Sequence, residues 1–333
     1  MNARPLILSA ALLAFSGVAW PQEKGGKPGA EASAEETLSA VVLVRAKILP
    51  NARSTATLGP QREGTGVLIR DGYVATIGYL VIESEAIEVT GADGKSVPAA
   101  LAAYDHGSGF GLLRLLAPLG GRPLPIGDSN AVAERERALV ASFGPDGVNV
   151  VQVVSRRPFS GSWEYLLDAA IFTSPAVMNW SGAPLINARG ELLGLGSLIV
   201  ADAPGTGSES PGNMFVPANL LAAMLGDLIA HGKPAGPVRP WMGVNTEELR
   251  GRLFVTRVSP DGPADKAGLK QGDILIGVGS HEVASLAEFY RKVWALGAAG
   301  VDVPLRVLQG VQVKEVTVRS IDRVDYFRAR PSY

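Results

Sequence analysis

The chain has 333 residues, of which 47% are hydrophobic and 19% are charged, so it is long enough for about two domains and apolar enough to fill their cores. Its formal net charge is -1 without blocks of like charge, which argues against nucleic acid as a partner. It has no cysteine and three histidines, which excludes disulfides and thiolate nucleophiles and leaves nothing from which to build a zinc cluster. We therefore expect no metal and no other cofactor.

The N-terminus predicts secretion. A basic residue precedes an apolar run over residues 6–20, which is too short for a comfortable membrane span of about 20 residues. The small residues Gly17 and Ala19 fit the positions before a cleavage site. We expect residues 1–19 to be a signal peptide, with an uncleaved membrane anchor as the alternative. Residues 20–35, rich in Gly, Glu, Lys and Ala, are expected to form a flexible tether.

The next part of the chain consists of short β-type runs separated by Gly, Pro, Asp and Asn, a pattern that indicates an all-β barrel or sandwich. A stretch at residues 216–231 has apolar residues on one helical face, and a Gly- and Pro-rich linker follows at residues 231–237. The predicted strands cover residues 41–48, 66–70, 73–76, 87–90, 111–116, 138–143, 148–154, 184–187 and 192–198.

The last hundred residues form a second unit. Residues 263–274 read Pro-Ala-Asp-Lys-Ala-Gly-Leu-Lys-Gln-Gly-Asp-Ile, a string that resembles a bacterial PDZ domain. We place this domain at residues 238–321, followed by a C-terminal tail at residues 322–333. Its predicted strands lie at residues 253–258, 303–308 and 314–318, and its helix lies at residues 285–296.

Together, the secretory signal, the β-rich unit, the helix with its linker and the PDZ unit resemble the HtrA/Deg family of periplasmic serine proteases and chaperones. The resemblance covers residues 38 to about 320 and implies a mainly β fold: a chymotrypsin/trypsin-like double β-barrel at residues 36–230, then the PDZ domain. It also implies a periplasmic location. The landmarks are Gly64-Thr-Gly-Val-Leu-Ile, Ile126-Gly-Asp-Ser, Val140-Ala-Ser-Phe-Gly, Asn187-Ala-Arg-Gly-Glu and Phe215-Val-Pro-Ala-Asn.

The resemblance places the catalytic triad on unsuitable residues. Ser181, in Ser-Gly-Ala-Pro-Leu, matches the nucleophile. The general base becomes Tyr79, a phenol with a reference pKa of about 10, and the orienting aspartate becomes Gly109. Asn179 stands where the family has the glycine of the oxyanion hole, although asparagine tolerates the left-handed backbone better than most residues. The sequence therefore predicts a vestigial nucleophile.

Two residues near this site have alternative interpretations. His106 would either replace the missing base or be a solvent-facing loop histidine beside Asp105, and we favour the second. Tyr79 and Trp180 would either pack into the vestigial cleft or line a pocket without catalysis, and we favour packing.

The chemistry of the PDZ groove is retained. After Trp241, the backbone N–H groups of Met242, Gly243 and Val244 are expected to meet the terminal carboxylate of a peptide. Phe289 and Val293 are expected to flank a pocket for its last side chain. Alternatively, the groove packs on its neighbour or binds the chain's own C-terminal Tyr333.

The sequence thus favours a periplasmic pseudoprotease that binds C-terminal or unfolded peptide segments as an adaptor, a holdase or a regulator. Expected partners are peptides or proteins with free apolar C-termini, a catalytic HtrA relative and further copies of the chain. The alternatives are a serine endopeptidase that uses Ser181 with a non-standard base, and a structural assembly protein.

Overall fold

The computed structural model describes residues 33–144 and 147–327. The predicted signal peptide, most of the predicted tether and the C-terminal Tyr333 lie outside the described residues. Helix α1 (Ala34–Ser39) begins inside the segment expected to be tether. Its start is fixed by a capping box, in which the Ser33 hydroxyl accepts from the Glu36 N–H and the Glu36 carboxylate accepts from the Ser33 N–H.

The first barrel is a closed antiparallel sheet in the order β1-β2-β3-β6-β5-β4. Strand β1 is rich in β-branched residues and buries six of its eight residues. Helix α2 (Thr55–Leu58) lies between β1 and β2. The strands are β1 (Val41–Ile48), β2 (Gln61–Arg70), β3 (Tyr73–Ile77), β4 (Ser84–Thr90), β5 (Ser96–Tyr104) and β6 (Phe110–Leu115).

The second barrel closes in the order β10-β11-β12-β9-β8-β7. Strand β8 continues well past the predicted end at residue 154, because it pairs along its length with β9. Helix α3 (Ala218–His231) follows this barrel and buries Leu221 and Leu228. The strands are β7 (Arg137–Ala141), β8 (Val148–Gly161), β9 (Tyr165–Ser174), β10 (Pro184–Ile186), β11 (Leu192–Val200) and β12 (Gly212–Pro217).

The C-terminal domain is a sheet in the order β13-β14-β15-β17-β18, with β16 paired to β15. Its core contains Phe289, Tyr290 and Val293 of helix α5. The strands are β13 (Val244–Leu249), β14 (Arg252–Val258), β15 (Ile274–Val278), β16 (His281–Glu282), β17 (Asp302–Gln309) and β18 (Gln312–Arg319). The helices are α4 (Pro263–Lys266) and α5 (Leu286–Ala295).

The predicted tail contains a further helix, α6 (Arg323–Phe327), for which the sequence analysis gave no prediction. Its Tyr326 ring lies 4.7 Å from the Trp241 ring, and the guanidinium of Arg53 lies 4.2 Å above Tyr326. These ring contacts hold the helix against both the first barrel and the PDZ domain.

The tip of the β8–β9 hairpin, defined here as residues 161–166, joins the second barrel to the PDZ domain. Leu166 is buried together with the apolar core of the PDZ domain. The Thr246 N–H of β13 donates to the Ser162 carbonyl at 2.8 Å, and the Tyr290 hydroxyl of α5 donates to the Gly161 carbonyl at 2.7 Å. The hairpin tip therefore lies between β13 and α5.

Candidate functional site

Ser181 lies in the loop between β9 and β10, where the two barrels meet. Its carbonyl accepts from the Thr65 N–H of the first barrel at 2.8 Å. The following residue, Gly182, has a φ of 73°, and a Cβ there would clash with the Thr65 carbonyl. The loop conformation therefore needs glycine at this position, and it holds the serine at the junction of the barrels.

Tyr79 is the immediate neighbour of the Ser181 hydroxyl. Its Oη lies 2.8 Å from Ser181 Oγ and 3.1 Å from the Ser197 carbonyl oxygen. Burial raises the pKa of Tyr79 above its ordinary value, so the phenol keeps its proton at neutral pH. A protonated phenol cannot remove the proton of Ser181, and the pair is therefore a hydrogen-bonded contact without a base.

Gly109 provides no side chain to orient a base. Its φ is 84°, its N–H donates to the Asp105 carbonyl at 2.8 Å, and its carbonyl accepts from the Gly78 N–H at 2.7 Å. A Cβ at this position would meet the Tyr165 hydroxyl at 3.5 Å. An aspartate here would therefore have to adopt a backbone conformation that side chains rarely take.

Asn179 does not use the left-handed backbone that its sequence position allowed. The described non-glycine residues with a positive φ include Glu164 but not Asn179. The Asn179 carbonyl accepts from the Ser142 hydroxyl at 2.8 Å, which ties the loop to β7 and the turn that follows it.

His106 is packed rather than solvent-facing, which corrects the interpretation favoured from the sequence. Its ring lies 4.2 Å from the Tyr104 ring, and its Nδ1 has no hydrogen-bond partner among the described residues. Burial, together with the nearby charge of Arg323, holds the pKa of His106 well below its ordinary value. The imidazole is therefore neutral, and the close partner of Ser181 is Tyr79 instead.

Tyr79 packs against the apolar core, as the favoured interpretation has it, and together with Trp180 it also lines a cavity of about 1030 Å³. The cavity extends from these two rings to Gly243 and Val244 of the PDZ domain. Trp163 of the hairpin tip also contributes to its wall. The serine cleft and the PDZ loop thus border one common space.

The predicted carboxylate loop holds a carboxylate, but one that belongs to the chain itself. Glu164 Oε1 accepts from the N–H groups of Gly243 at 2.7 Å and Val244 at 3.0 Å, and its Oε2 accepts from the N–H of Met242 at 2.9 Å. Gly243 has a φ of 85°, which turns the consecutive N–H groups toward one point. The carboxylate at the loop is thus that of Glu164, at the position where the sequence predicted the terminal carboxylate of a peptide.

The remaining groove positions are also filled by the hairpin tip. Ser162 pairs with β13 at the position of an added strand, and Leu166 is buried in the core that contains Phe289 and Val293. Trp241, predicted at the entrance of the loop, packs its ring at a tilt against the Tyr326 and Phe327 rings of α6. The alternative in which the groove packs on its neighbour is thus the arrangement in this structure.

The environment of Glu164 shifts its protonation. Burial raises the pKa of Glu164 to about 7, although the N–H groups of the loop and the charge of Arg323 act in the opposite direction. The Glu164 N–H donates to the Tyr290 hydroxyl at 3.3 Å, and the Arg323 guanidinium donates to the Trp163 carbonyl at 3.2 Å. Glu164 is 7% exposed and has a φ of 58°.

Sequence reasoning missed Glu164, Tyr290 and Arg323. Tyr290 lies in the predicted helix at residues 285–296, and Arg323 lies in the predicted tail. Neither residue belongs to a sequence motif that would place it in the groove. Glu164 stands between Trp163 and Tyr165, and this acidic residue between aromatic rings is the one local signal that could have drawn attention to the segment.

Comparisons with known proteins agree with this architecture. Residues 64–195 match the model of the trypsin-like peptidase domain, and residues 240–319 match the model of the PDZ domain. A probable periplasmic serine protease of the do/HhoA-like type from Haemophilus influenzae is 27% identical over 77% of this chain and 57% of its own length. The periplasmic pH-dependent serine endoprotease DegQ of Escherichia coli is 28% identical over 77% of this chain and 58% of its own length.

The chain therefore spans a little over half the length of these curated relatives. A solved structure of the HtrA-type protease AlgW with a decapeptide has a TM-score of 0.54 and 19% identity, covering 87% of this chain and 97% of that one. This likeness confirms the predicted fold class, a trypsin-like double barrel followed by a PDZ domain.

The names of the relatives confirm the predicted periplasmic location. Within the described ranges, no helix is long and apolar enough to cross a membrane. The order of the two domains, their matches to both family models and the periplasmic relatives lead to one assignment: the chain belongs to the HtrA/Deg family of trypsin-like proteases with a PDZ domain.

Proposed function

We propose that the chain is an HtrA-like pseudoprotease of the periplasm that binds C-terminal or unfolded peptide segments through its PDZ domain. In this role it would act as an adaptor, a holdase or a regulator in the quality control of envelope proteins. The observation that carries the proposal is that the consecutive N–H groups of Met242, Gly243 and Val244 hold a carboxylate. The same groups suit the terminal carboxylate of a peptide added along β13.

The state of the serine cleft supports a role without catalysis. Ser181 is in contact with a phenol that stays protonated, and Gly109 offers no carboxylate to orient a base. A serine hydroxyl without an adjacent base is a weak nucleophile. Binding is then the activity that the described residues are equipped to perform.

The proposed partners follow from the chemistry of the groove. Leu166 is buried in the same apolar core as Phe289 and Val293, which indicates a preference for an apolar last residue. The similarity to a family member solved with a decapeptide supports peptides as the ligand class. A catalytic HtrA relative and further copies of this chain remain proposed partners on the basis of the sequence.

The test compares peptides that end in an apolar residue with a free carboxylate or with an amide. Binding to the full chain and to Glu164→Ala is measured by fluorescence anisotropy. In whichever of the two proteins binds, we expect the peptide with the free carboxylate to bind at least about tenfold more tightly than the amidated peptide. The amide loses charge-assisted hydrogen bonds. Equal affinity for acid and amide, or the failure of both proteins to bind, would reject the proposal.

A second candidate function is serine endopeptidase activity through Ser181, which the names of the curated relatives favour. It is tested with an unfolded casein substrate and with a fluorophosphonate probe, using Ser181→Ala as the control. We expect no labelling above this control. The double change Tyr79→His and Gly109→Asp is expected to recover little activity, because Gly109 has a positive φ that strains an aspartate.

A further inference from the structure

The hairpin tip reproduces the features by which a PDZ domain recognises a peptide. Ser162 offers a carbonyl to β13, Glu164 offers a carboxylate to the loop, and Leu166 offers an apolar side chain to the core. These groups come from a segment about 80 residues away along the chain. The tip therefore binds the PDZ groove as an internal ligand, because it lies in the groove and makes the contacts expected of a peptide.

We propose that the hairpin tip is a built-in competitor for the PDZ groove, so that a C-terminal peptide binds only when Glu164 leaves the carboxylate loop. This inference rests on the proposed function of the groove and concerns its regulation. The ligand that opens the groove is a peptide with an apolar last residue and a free C-terminal carboxylate. Its carboxylate replaces that of Glu164, and its apolar side chain replaces that of Leu166.

The hydrogen bonds show why the two ligands exclude each other. A backbone N–H group provides a single hydrogen for a hydrogen bond, and those of Met242, Gly243 and Val244 are directed at Glu164. The Thr246 N–H is used by Ser162 in the same way. With these donors occupied by Glu164, a second carboxylate at the loop would find none left to satisfy it.

Opposing contributions determine how firmly the tip is held. Charge-assisted hydrogen bonds from the loop, the contact with Tyr290 and the charge of Arg323 favour the docked tip. Burial of the carboxylate and its left-handed backbone oppose docking. The docked tip therefore lowers the apparent affinity of a peptide in proportion to the fraction of open groove, without abolishing binding.

The test uses the full chain and three variants in a titration with one fluorescent peptide that ends in an apolar residue and a free carboxylate. Glu164→Ala removes the internal carboxylate, and Glu164→Gln keeps its shape but removes its charge. Asp168→Asn is the matched control. It removes an exposed carboxylate of the same hairpin that pairs with Arg291 of the PDZ domain at 2.6 Å, without touching the loop.

We expect Glu164→Ala to bind the peptide at least about tenfold more tightly than the unmodified chain, since the groove no longer needs to be opened. Glu164→Gln is expected to fall between them, because its NH2 group cannot accept from the Met242 N–H as Glu164 Oε2 does. Asp168→Asn is expected to stay within about threefold of the unmodified chain. Circular dichroism melting of each variant verifies that the fold is intact. The same titration followed by hydrogen exchange should show faster exchange of amides in residues 161–166 when peptide is bound.

The outcomes separate this inference from the proposed function. If Glu164→Ala and the unmodified chain bind the acid peptide equally, and both discriminate against the amide, the tip is not a competitor for the groove. The proposed binding function is kept in that case. The proposal that the tip competes for the groove is also rejected if the amides of residues 161–166 remain protected from hydrogen exchange at saturating peptide. It is rejected as well if Asp168→Asn tightens peptide binding as much as Glu164→Ala. If no form binds the acid peptide, the proposed function itself fails.

Discussion

Glu164 is the residue on which the behaviour of the groove depends. It is buried, its backbone lies in the left-handed region, and its carboxylate is held by the N–H groups of Met242, Gly243 and Val244. Two further groups face it from the elements packed around it, the Tyr290 hydroxyl from α5 and the Arg323 guanidinium from α6. Burial raises the pKa of Tyr290, so this phenol does not titrate near neutral pH.

The raised pKa of Glu164 predicts that peptide affinity depends on pH. In the docked tip this pKa is about 7, above the ordinary 4.5 of an exposed glutamate, so the docked state binds the proton more tightly. Docking is therefore strongest below pH 4.5 and weakens as the pH rises through 7. Because a peptide replaces Glu164, its apparent affinity should rise across this window by at most about tenfold per pH unit.

The measurement is a peptide titration at several pH values between 4.5 and 8. The peptide's own carboxylate, with a pKa of about 3.5, stays ionised throughout. Glu164→Gln serves as the control and is expected to show a flat profile. A slope that persists in Glu164→Gln would assign the pH dependence to groups other than Glu164.

At the scale of elements, the length of β8 places the tip in the groove. The segment after residue 154 reads Ser-Arg-Arg-Pro-Phe-Ser-Gly, which by local pattern indicates a loop. In the structure it is strand, because Arg156 pairs with Ile171 and Phe159 with Leu167 of β9. Arg157 stacks on the Phe172 ring at 3.8 Å, which gives a charged residue of this strand a partly apolar contact.

Helix α5 holds the other side of the tip, and this predicts the effect of Tyr290→Phe. The variant keeps the buried ring but loses the hydroxyl that donates to the Gly161 carbonyl and accepts from the Glu164 N–H. Loss of about 1 kcal/mol of hydrogen bonding should loosen the tip and tighten peptide binding by roughly fivefold. Isothermal titration calorimetry measures this, with Tyr73→Phe in β3 as the matched control. Weaker binding in Tyr290→Phe would mean that the hydroxyl serves the peptide instead of the tip.

At the scale of the whole molecule, several contacts join the barrels to the PDZ domain besides Glu164. Arg53 donates to the Pro260 carbonyl at 2.9 Å, Asp168 pairs with Arg291, and Arg323 donates to the Trp163 carbonyl. The exposed ion pair contributes little, whereas the buried carboxylate and its loop form the central contact. The two domains are thus coupled chiefly through the hairpin tip.

This coupling predicts how the chain unfolds. We expect a single calorimetric transition for the unmodified chain and two separated transitions for Glu164→Ala, because the PDZ domain then loses its central contact with the barrels. Differential scanning calorimetry tests this, with Asp168→Asn expected to keep the single transition. Two transitions in the unmodified chain, or one in Glu164→Ala, would show that the tip does not couple the domains.

The extent to which the fold could be predicted varies between elements for physical reasons. Strand β1 was predicted with its observed bounds, because its β-branched run is a strong local signal. Strand β5, with four alanines and a proline, was missed because its strand conformation depends on pairing with β4 and β6. Helix α6 was missed because ring contacts with Trp241 and Arg53 hold a five-residue segment that is too short to be helical alone.

The sequence by itself determined the chemical inventory of this protein: a serine matched to a nucleophile position, a tyrosine and a glycine at the positions of its activating groups, and a loop with consecutive N–H groups for an anion. These features are local, so a short motif carries each of them. Only the tertiary structure decided which anion occupies that loop. Glu164 and Gly243 lie 79 residues apart, and no local pattern records a contact that exists because the second barrel and the PDZ domain pack together.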